Sequence, residues 1–412
     1  MRKRGIVFIL VVMVIGFSVN LSFAKERDAL YENMDIFAEA LAMVEKRHVE
    51  DKTPQDLIYG ALAGLLSSLD AYSQFLTPEE YADLLTETEG EFGGLGIEIT
   101  IKDNLLTIVS PIEDTPAWKA GLKAGDVIVK IEGEVTKGIT LSEAVKKLRG
   151  EPDSEVTITV LREKDRKVED VTIVRGIIKI KDIKRALILE DGIGYVRVAE
   201  FREHTVRDLD KELEKLKEEG IEGLIIDVRN NPGGLLYSAI EASSRFLEDG
   251  KTVVSTKSKT QKEMVYASLP ARQKFLDIPI VVVINKGSAS GSEILAAALR
   301  DNNRAILLGE KTFGKGSVQT IVPLSDGSAL RLTTSKYYTP AGEAIHEEEG
   351  VAPDIEIVEE ERKIEDVFEE LKKKEEFDYR HDNQLVRALD LIKGILVLKE
   401  KKEIKKIVEE KK

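Results

Sequence analysis

The apolar run Ile278 to Ile284 passes directly into the small-residue cluster Asn285 to Ser292. A segment follows whose apolar residues Ile294, Leu295, Ala298 and Leu299 recur at helical spacing. This is strand, tight turn, helix. The chain from Gly176 to Val358 repeats the pattern: a strand over Ile193 to Val198, and a helix over Thr205 to Glu218 with Val206, Leu209, Leu213 and Leu216 on one face. A buried strand over Gly223 to Val228 follows, and the loop Arg229-Asn230-Asn231-Pro232-Gly233-Gly234 leads into a helix over Leu235 to Leu247. Strands alternating with helices predict an α/β body.

Three serines, Ser288, Ser290 and Ser292, crowd the turn, where helix amides point outward and a nucleophile would sit beside the positive end of a dipole. A serine hydroxyl is a weak nucleophile until a base takes its proton. None of the four histidines, His48, His204, His346 and His381, lies in a small-residue turn or beside a plausible Asp partner. Lys315, flanked by Gly314 and Gly316 in the loop after the apolar strand Ala305 to Leu308, is the candidate base. Acting as one requires neutrality, a fall of roughly three units from about 10.4, or about 4 kcal/mol, which burial in a cleft can supply. The stretch Gly309 to Gly316 is most of a phosphate-binding loop, but Gly316 stands where Ser or Thr would hold magnesium, and a strand follows instead of a helix. Nucleotide binding is therefore not expected. A Pro-Gly-Gly bend between strand and helix, as at Pro232 to Gly234, places amides where an oxyanion hole needs them. Asp227 and Arg229 are expected to hold that loop by an ion pair or backbone hydrogen bonds.

SASGSE followed by FGKGSVQ, with 25 positions from Ser290 to Lys315 and four more to Gln319, resembles the carboxyl-terminal processing peptidases, or tail-specific proteases of family S41. The resemblance implies Ser290 as nucleophile, Lys315 as general base and Gln319 as the residue orienting the lysine. It implies Gly291 and one of Gly233 or Gly234 as oxyanion donors, and a ClpP/crotonase-like serine protease core that uses no cofactor and no metal. Relatives more often have Ala at position 291. The role expected there is a backbone N–H, which either residue supplies.

At Gly90 the texture changes to glycine and short β-type runs. A hairpin over Ile97 to Ile101 and Leu105 to Val109 turns at Asp103-Asn104. A short helix at Pro116 to Ala120, a strand at Val127 to Ile131, a helix at Leu141 to Leu148 and a strand at Val156 to Leu161 complete it. With the loop Gly93-Gly94-Leu95-Gly96, this order resembles a PDZ domain. Loop amides at Gly94 and Gly96 would cradle a terminal carboxylate, Ile97 to Ile101 would accept a peptide as an added strand, and Leu95, Ile97, Val145 and Leu148 would line the pocket for its last side chain.

The remaining segments frame these two. Residues 1–24 read as a secretory signal, with Arg2, Lys3 and Arg4 before an apolar stretch and Ser22-Phe23-Ala24 as the cleavage site. The mature protein is then expected outside the cytoplasm, periplasmic or secreted, or held to the membrane where the signal stays uncut. Residues 25–89 read as helices, for packing on the protease or joining two protomers. Residues 90–175 are the PDZ domain, 176–358 the protease core, and 359–412 a charged helical tail, either solvated or, over Leu385 to Leu396, a dimer contact. A net charge of -14 argues against nucleic acid, and the absence of Cys excludes disulfides. With 33% charged residues the composition leans toward a thermophile. The expected partners are proteins or peptides with free C-termini, a second copy of the chain, and an activating protein. Two rival readings remain, a catalytically silent PDZ scaffold and a crotonase-like acyl-CoA enzyme; the export signal and PDZ domain weigh against the second.

Overall fold

The structure, a computed structural model, describes residues 31–162, 167–259, 262–346, 349–360 and 377–410. The signal expected at residues 1–24 lies outside them. Among the described residues no helix is long and apolar enough to cross a membrane. The chain divides into two units: residues 1–78 with 321–332, and residues 79–320 with 333–412.

In the first unit residues 31–47 are helical, and Tyr31, Met34, Ile36, Phe37, Met43 and Val44 are all exposed. A second helix, Pro54–Ser67, starts as its sequence dictates: the Thr53 hydroxyl accepts from the Asp56 amide, the Asp56 carboxylate accepts from Thr53, and Pro54 occupies the first turn. The purely helical expectation fails at Gln74–Leu76, a strand paired antiparallel with Ala329–Arg331. Three residues carry too little periodicity to reveal a strand. What fixes this one is its distant partner, with Phe75 and Leu76 buried along it.

The second unit holds the α/β body. Its central sheet runs, in spatial order, Ile183–Ile188, Ile193–Val198, Gly223–Asp227, Ile280–Ile284, Ile306–Gly309 and Ile355–Glu356, parallel after the first antiparallel pair. Gly223–Asp227 and Ile280–Ile284 are buried at every residue, as strands covered on both faces must be. One face packs the helices Thr205–Glu218, Leu236–Ser244 and Gly291–Asp301 through Leu209, Leu213, Ile240, Leu295 and Leu299. The other face is covered by the helix Asn383–Glu410, whose Leu385, Ala388, Leu389 and Ile392 pack on Ile193, Tyr195, Ile225, Val281 and Val283. This corrects the expectation of a solvated tail or dimer contact over Leu385 to Leu396: the apolar stripe as far as Ile392 is used up inside its own chain. Apolar spacing tells that a stripe is covered, not by what.

The PDZ region is a separate sheet of Ile97–Lys102, Leu105–Pro111, Val127–Ile131, Glu155–Leu161 and Val168–Val174 around a core of Leu106, Ile108, Ile128, Val156 and Ile158. Its hairpin turns at Asp103 and Asn104, both with positive φ, as a two-residue turn requires. Val168–Val174 was not expected; it pairs along its whole length with Glu155–Leu161. The glycine loop is shorter than its sequence suggests, because Glu91–Gly94 pairs antiparallel with Gly176–Lys179. That ribbon joins the chain's entry into this region to its exit. A Cβ on Gly93 would fall 2.0 Å from the Gly150 carbonyl oxygen, so only glycine passes there.

Candidate active site

The three serines of the turn are not equivalent. Ser288 is fully buried, donating its hydroxyl to the Val228 carbonyl at 2.8 Å and accepting from the Asn285 amide. Ser292 is equally buried and donates to the Asn231 carbonyl at 2.9 Å. These two fasten the turn to the residues that follow the neighbouring strand Gly223–Asp227. Ser290, between them, has φ 51° and ψ −110°, a backbone state costly for any residue with a Cβ. Unlike theirs, its hydroxyl makes no hydrogen bond to a backbone carbonyl among the described residues. Strain held by buried bonds on both sides thus sets one serine apart.

Glu293, in the first turn of the following helix, connects this serine to the lysine loop. Its side chain is fully buried. One carboxylate oxygen accepts from the Ser290 amide at 2.8 Å and the Lys315 amide at 2.9 Å; the other accepts from the Gly314 amide at 2.7 Å and the Thr312 hydroxyl at 2.6 Å. Burial pushes this carboxyl up, against the pull of four donors. The sequence reading did not single out Glu293. An acidic residue three positions into a helix is so common as a cap that its sequence carries no further signal.

Lys315 itself is half-buried and its two glycines are sterically required. A Cβ on Gly316 would lie 1.7 Å from the Ile345 carbonyl oxygen, and Gly314 has φ 94°. Gln319 donates its amide to the Ser317 hydroxyl at 2.8 Å and reaches Thr333 at 3.5 Å, which leaves its carbonyl oxygen as an acceptor. The second glycine pair is equally close-fitting. A Cβ on Gly233 would stand 2.7 Å from both the Gly291 nitrogen and the Ser290 Cβ, so Gly233 lies against the serine turn. Its amide donates to the Asn231 side chain at 2.8 Å, and Asn231 in turn donates to the Val198 carbonyl. Among the described residues the Gly234 and Gly291 amides have no hydrogen-bond acceptor.

Asp227 and Arg229 hold the loop, as the sequence suggested, through a larger network. Arg229 makes hydrogen bonds to both Asp227 oxygens, to Asp382 and to Gln384, and Tyr195 donates to Asp227. Burial works against the Asp227 carboxylate, but the Arg229 guanidinium more than offsets it and holds the group below the ordinary carboxylate range. Asp382 and Gln384 come from the start of the C-terminal helix, so that helix anchors the glycine loop as well as covering the sheet.

In the PDZ region Gly94, Leu95, Gly96, Ile97, Val145 and Leu148 line one groove together with Phe92, Ile99 and Arg149, a cavity of about 110 Å³. Ile97–Lys102 lies at the sheet's edge, open to a further strand on one side. Leu95 and Leu148 also belong to the buried core, so the groove's floor and the domain's interior are the same side chains. Among the described residues no group of three or more His, Asp or Glu is placed to hold a metal ion.

Residues 192–357 match peptidase family S41 and residues 107–162 match a PDZ domain. A carboxy-terminal-processing protease of Bartonella bacilliformis is 42% identical over 79% of this chain and 75% of its own length. A carboxyl-terminal-processing protease of Synechocystis is 36% identical over 73% of this chain and 71% of its own. A Bacteroides fragilis protein solved as an S41 protease candidate shares the fold at 18% identity, with a TM-score of 0.50 over 84% of this chain and 91% of its own.

Proposed function

The chain belongs to peptidase family S41 and is a serine-type peptidase with a PDZ domain; from that premise we propose that it is an exported endopeptidase working through Ser290 and Lys315 on proteins delivered by their C-terminal tails. The observation that carries this reading is the division of labour in the serine turn. Ser288 and Ser292 spend their hydroxyls on backbone carbonyls, Ser290 does not, and Glu293 ties the Ser290 and Lys315 amides to one carboxylate.

Ser290 Oγ attacks the scissile carbonyl carbon while its proton passes to the neutral amine of Lys315, and the carbonyl π pair moves onto oxygen. The Gly291 amide receives that oxyanion. The Gly234 amide is the second donor the loop can offer without breaking a bond, since the Gly233 amide is held by Asn231. Lys315 then gives its proton to the leaving amine and activates the water that releases the acyl group. In this reading the Gln319 carbonyl oxygen, left as an acceptor, orients Lys315. The groove at Leu95, Ile97, Val145 and Leu148 takes the apolar end of the substrate tail, which adds as a strand along Ile97–Lys102, with Gly94 and Gly96 at the carboxylate. Export rests on residues 1–24 and pairing of two chains on the exposed apolar residues of the helix at 31–47. An activating partner belongs to the same reading.

The test compares the chain with Ser290→Ala and Lys315→Ala on an unfolded reporter ending in an apolar tail, free or amidated. Loss of cleavage in both variants and a drop on amidation are expected. Cleavage that survives Ser290→Ala sinks the assignment.

A further inference from the structure

Where the strands Ile280–Ile284 and Ile306–Gly309 begin, the central sheet carries an open cavity of about 440 Å³. The serine turn follows the last residue of the first of these strands, so cavity and turn lie at opposite ends of the sheet. Arg300, Asn303, Arg304 and Asp354 share the cavity wall with Ile306 and Ile395. Arg304 is the unmatched member. Its Nη2 donates to the carbonyls of Phe275 and Ile278, and its Nε is buried with no acceptor. Nη1 is not buried, and among the described residues it has no acceptor and the guanidinium no ion-pair partner. Other partly buried arginines are better matched: Arg162, Arg202, Arg229 and Arg245 each meet a carboxylate. Arg175, which meets none, donates from all three nitrogens, to the carbonyls of Lys147, Leu148 and Glu155 and to the Ser154 hydroxyl. Burial pushes the Arg304 guanidinium down, and the charge of Asp277 nearby pulls it back only in part.

A guanidinium drawn out of water is stabilised by an anion, and an arginine stays charged at any pH a protein meets. The rest of the wall narrows which anion. Arg300 is already engaged, Nε with Asp301 at 2.9 Å and Nη1 with the Ala352 carbonyl at 3.2 Å, so Arg304 is the donor left over. Asp354 accepts from the Leu307 amide at 2.8 Å and brings a negative charge to the same wall, which repels a multiply charged ion. Ile280, Ile306 and Ile395 are apolar, and an ion without an apolar part would leave them in water. We propose that this cavity is a binding site for a small aliphatic carboxylate, its charge on Arg304 Nη1 and its chain against Ile280, Ile306 and Ile395. Ile395 belongs to the helix Asn383–Glu410, and Lys399 of that helix donates to the Asp277 carbonyl at 3.1 Å. The occupant therefore also fastens the helix to the sheet edge. No step of this depends on Ser290 or Lys315.

The test measures heats of binding to the full chain with octanoate, N-acetyl-leucine, octanamide and sulfate. Saturable binding of octanoate or N-acetyl-leucine is expected, with octanamide and sulfate at least about tenfold weaker. The tighter of the two carboxylates tells a free acyl chain from the carboxyl end of a peptide as the source. Arg304→Gln should weaken binding about tenfold or more. Asn303→Asp brings a charge to the exposed rim, and its φ of 55° is one that Asp also adopts, so the fold is kept. It should weaken binding about three- to tenfold. No saturable heat from either carboxylate up to about 10 mM overturns the proposal. Octanamide or sulfate binding as tightly as the carboxylates overturns it too, as does binding that both variants leave at wild-type strength. Where Arg304→Gln does not fold, Asn303→Asp decides alone. Binding that Val145→Glu removes lies in the PDZ groove and overturns the assignment to this cavity.

Discussion

The serine turn and the PDZ groove are built on opposite principles. Around Ser290, buried polar atoms are matched one to one: Glu293 to four donors, Ser288 and Ser292 to one carbonyl each, Arg229 to two carboxylates and an amide. The groove is lined mainly by apolar side chains beside an open strand edge, and its charged member, Arg149, lies over the Phe92 ring. A buried hydrogen-bond network tolerates almost no error, since each orphaned group costs its desolvation. An apolar groove with a strand edge accepts any chain that is extended and ends suitably. On the proposed reading, the molecule concentrates geometric precision where bonds break and leaves recognition permissive.

The most direct way to break this contrast is Glu293→Gln. The amide keeps one acceptor oxygen but puts an NH2 against amides that already donate, so up to two of the four donors lose their partner. Each buried orphan costs about 1–3 kcal/mol, and the two segments it joined carry the proposed nucleophile and base. We expect kcat to fall about 100-fold or more and the melting temperature to drop by several degrees. Wild-type turnover in a folded Glu293→Gln protein would show that the site does not depend on matched bonds.

Arg229→Met comes next. Removing one member of a buried ion pair costs about 3–5 kcal/mol, and the sign of its pH dependence is diagnostic. In the wild type Asp227 is held below its ordinary value, so its contribution is present above the unfolded-state value and is lost as pH falls through the folded one. Without Arg229, burial acts on Asp227 against only the Tyr195 hydroxyl and the more distant Arg197 charge and is expected to raise it, so the variant should lose stability as pH rises through the folded value. Denaturant midpoints of both proteins between pH 4 and 7, about the ordinary carboxylate range and just above it, should diverge as pH rises. Parallel curves would mean that Arg229 does not set the charge of Asp227.

How much of this was legible beforehand follows the same division. Local pattern announced the helix Thr205–Glu218, the strands Ile193–Val198 and Val127–Ile131, and the hairpin turn at Asp103-Asn104, each to the residue. Serine and glycine clusters also drew the eye to the serine turn and to Lys315, because they are rare enough to notice; the choice of Ser290 among the three serines and the role of Gln319 were implied by the family resemblance. What stayed hidden was set by partners far along the chain. Gln74–Leu76 is a strand only because Ala329–Arg331 lies beside it, the C-terminal helix is buried only because a sheet face awaits it, and Glu293 looks like any helix cap until three residues of another loop converge on it. Sequence periodicity reports which side chains seek cover and is silent on which groups will meet.

The groove should respond more gently. Val145 is half-buried at its rim, and Val145→Glu places a charge where an apolar tail end would sit. We expect KM for the tailed reporter to rise about tenfold, since one apolar contact is worth about 1–3 kcal/mol, with kcat and stability little changed. A fall in kcat at unchanged KM would mean that the groove acts on the reaction centre and not only on recognition.

The smallest effect tests the tight side of the contrast at its least demanding point. Gly291 opens the helix after the proposed nucleophile, and a Cβ there would stand 3.1 Å from the Phe201 ring and 3.3 Å from Ala239, while the proposed mechanism uses only its backbone amide. Phe201 and Ala239 would have to give by a few tenths of an ångström, a strain that opposes the gain of about 0.4–1 kcal/mol from stiffening the unfolded chain. Gly291→Ala should therefore leave cleavage within about twofold and stability within about 1 kcal/mol. Gly233 is the contrasting neighbour: its φ is 103° and its missing Cβ would strike the Gly291 nitrogen at 2.7 Å. Gly233→Ala should abolish turnover under the same assay. If the two substitutions behaved alike, the precision of the site would lie in the hydrogen-bond network alone and not in the close approach of the two loops.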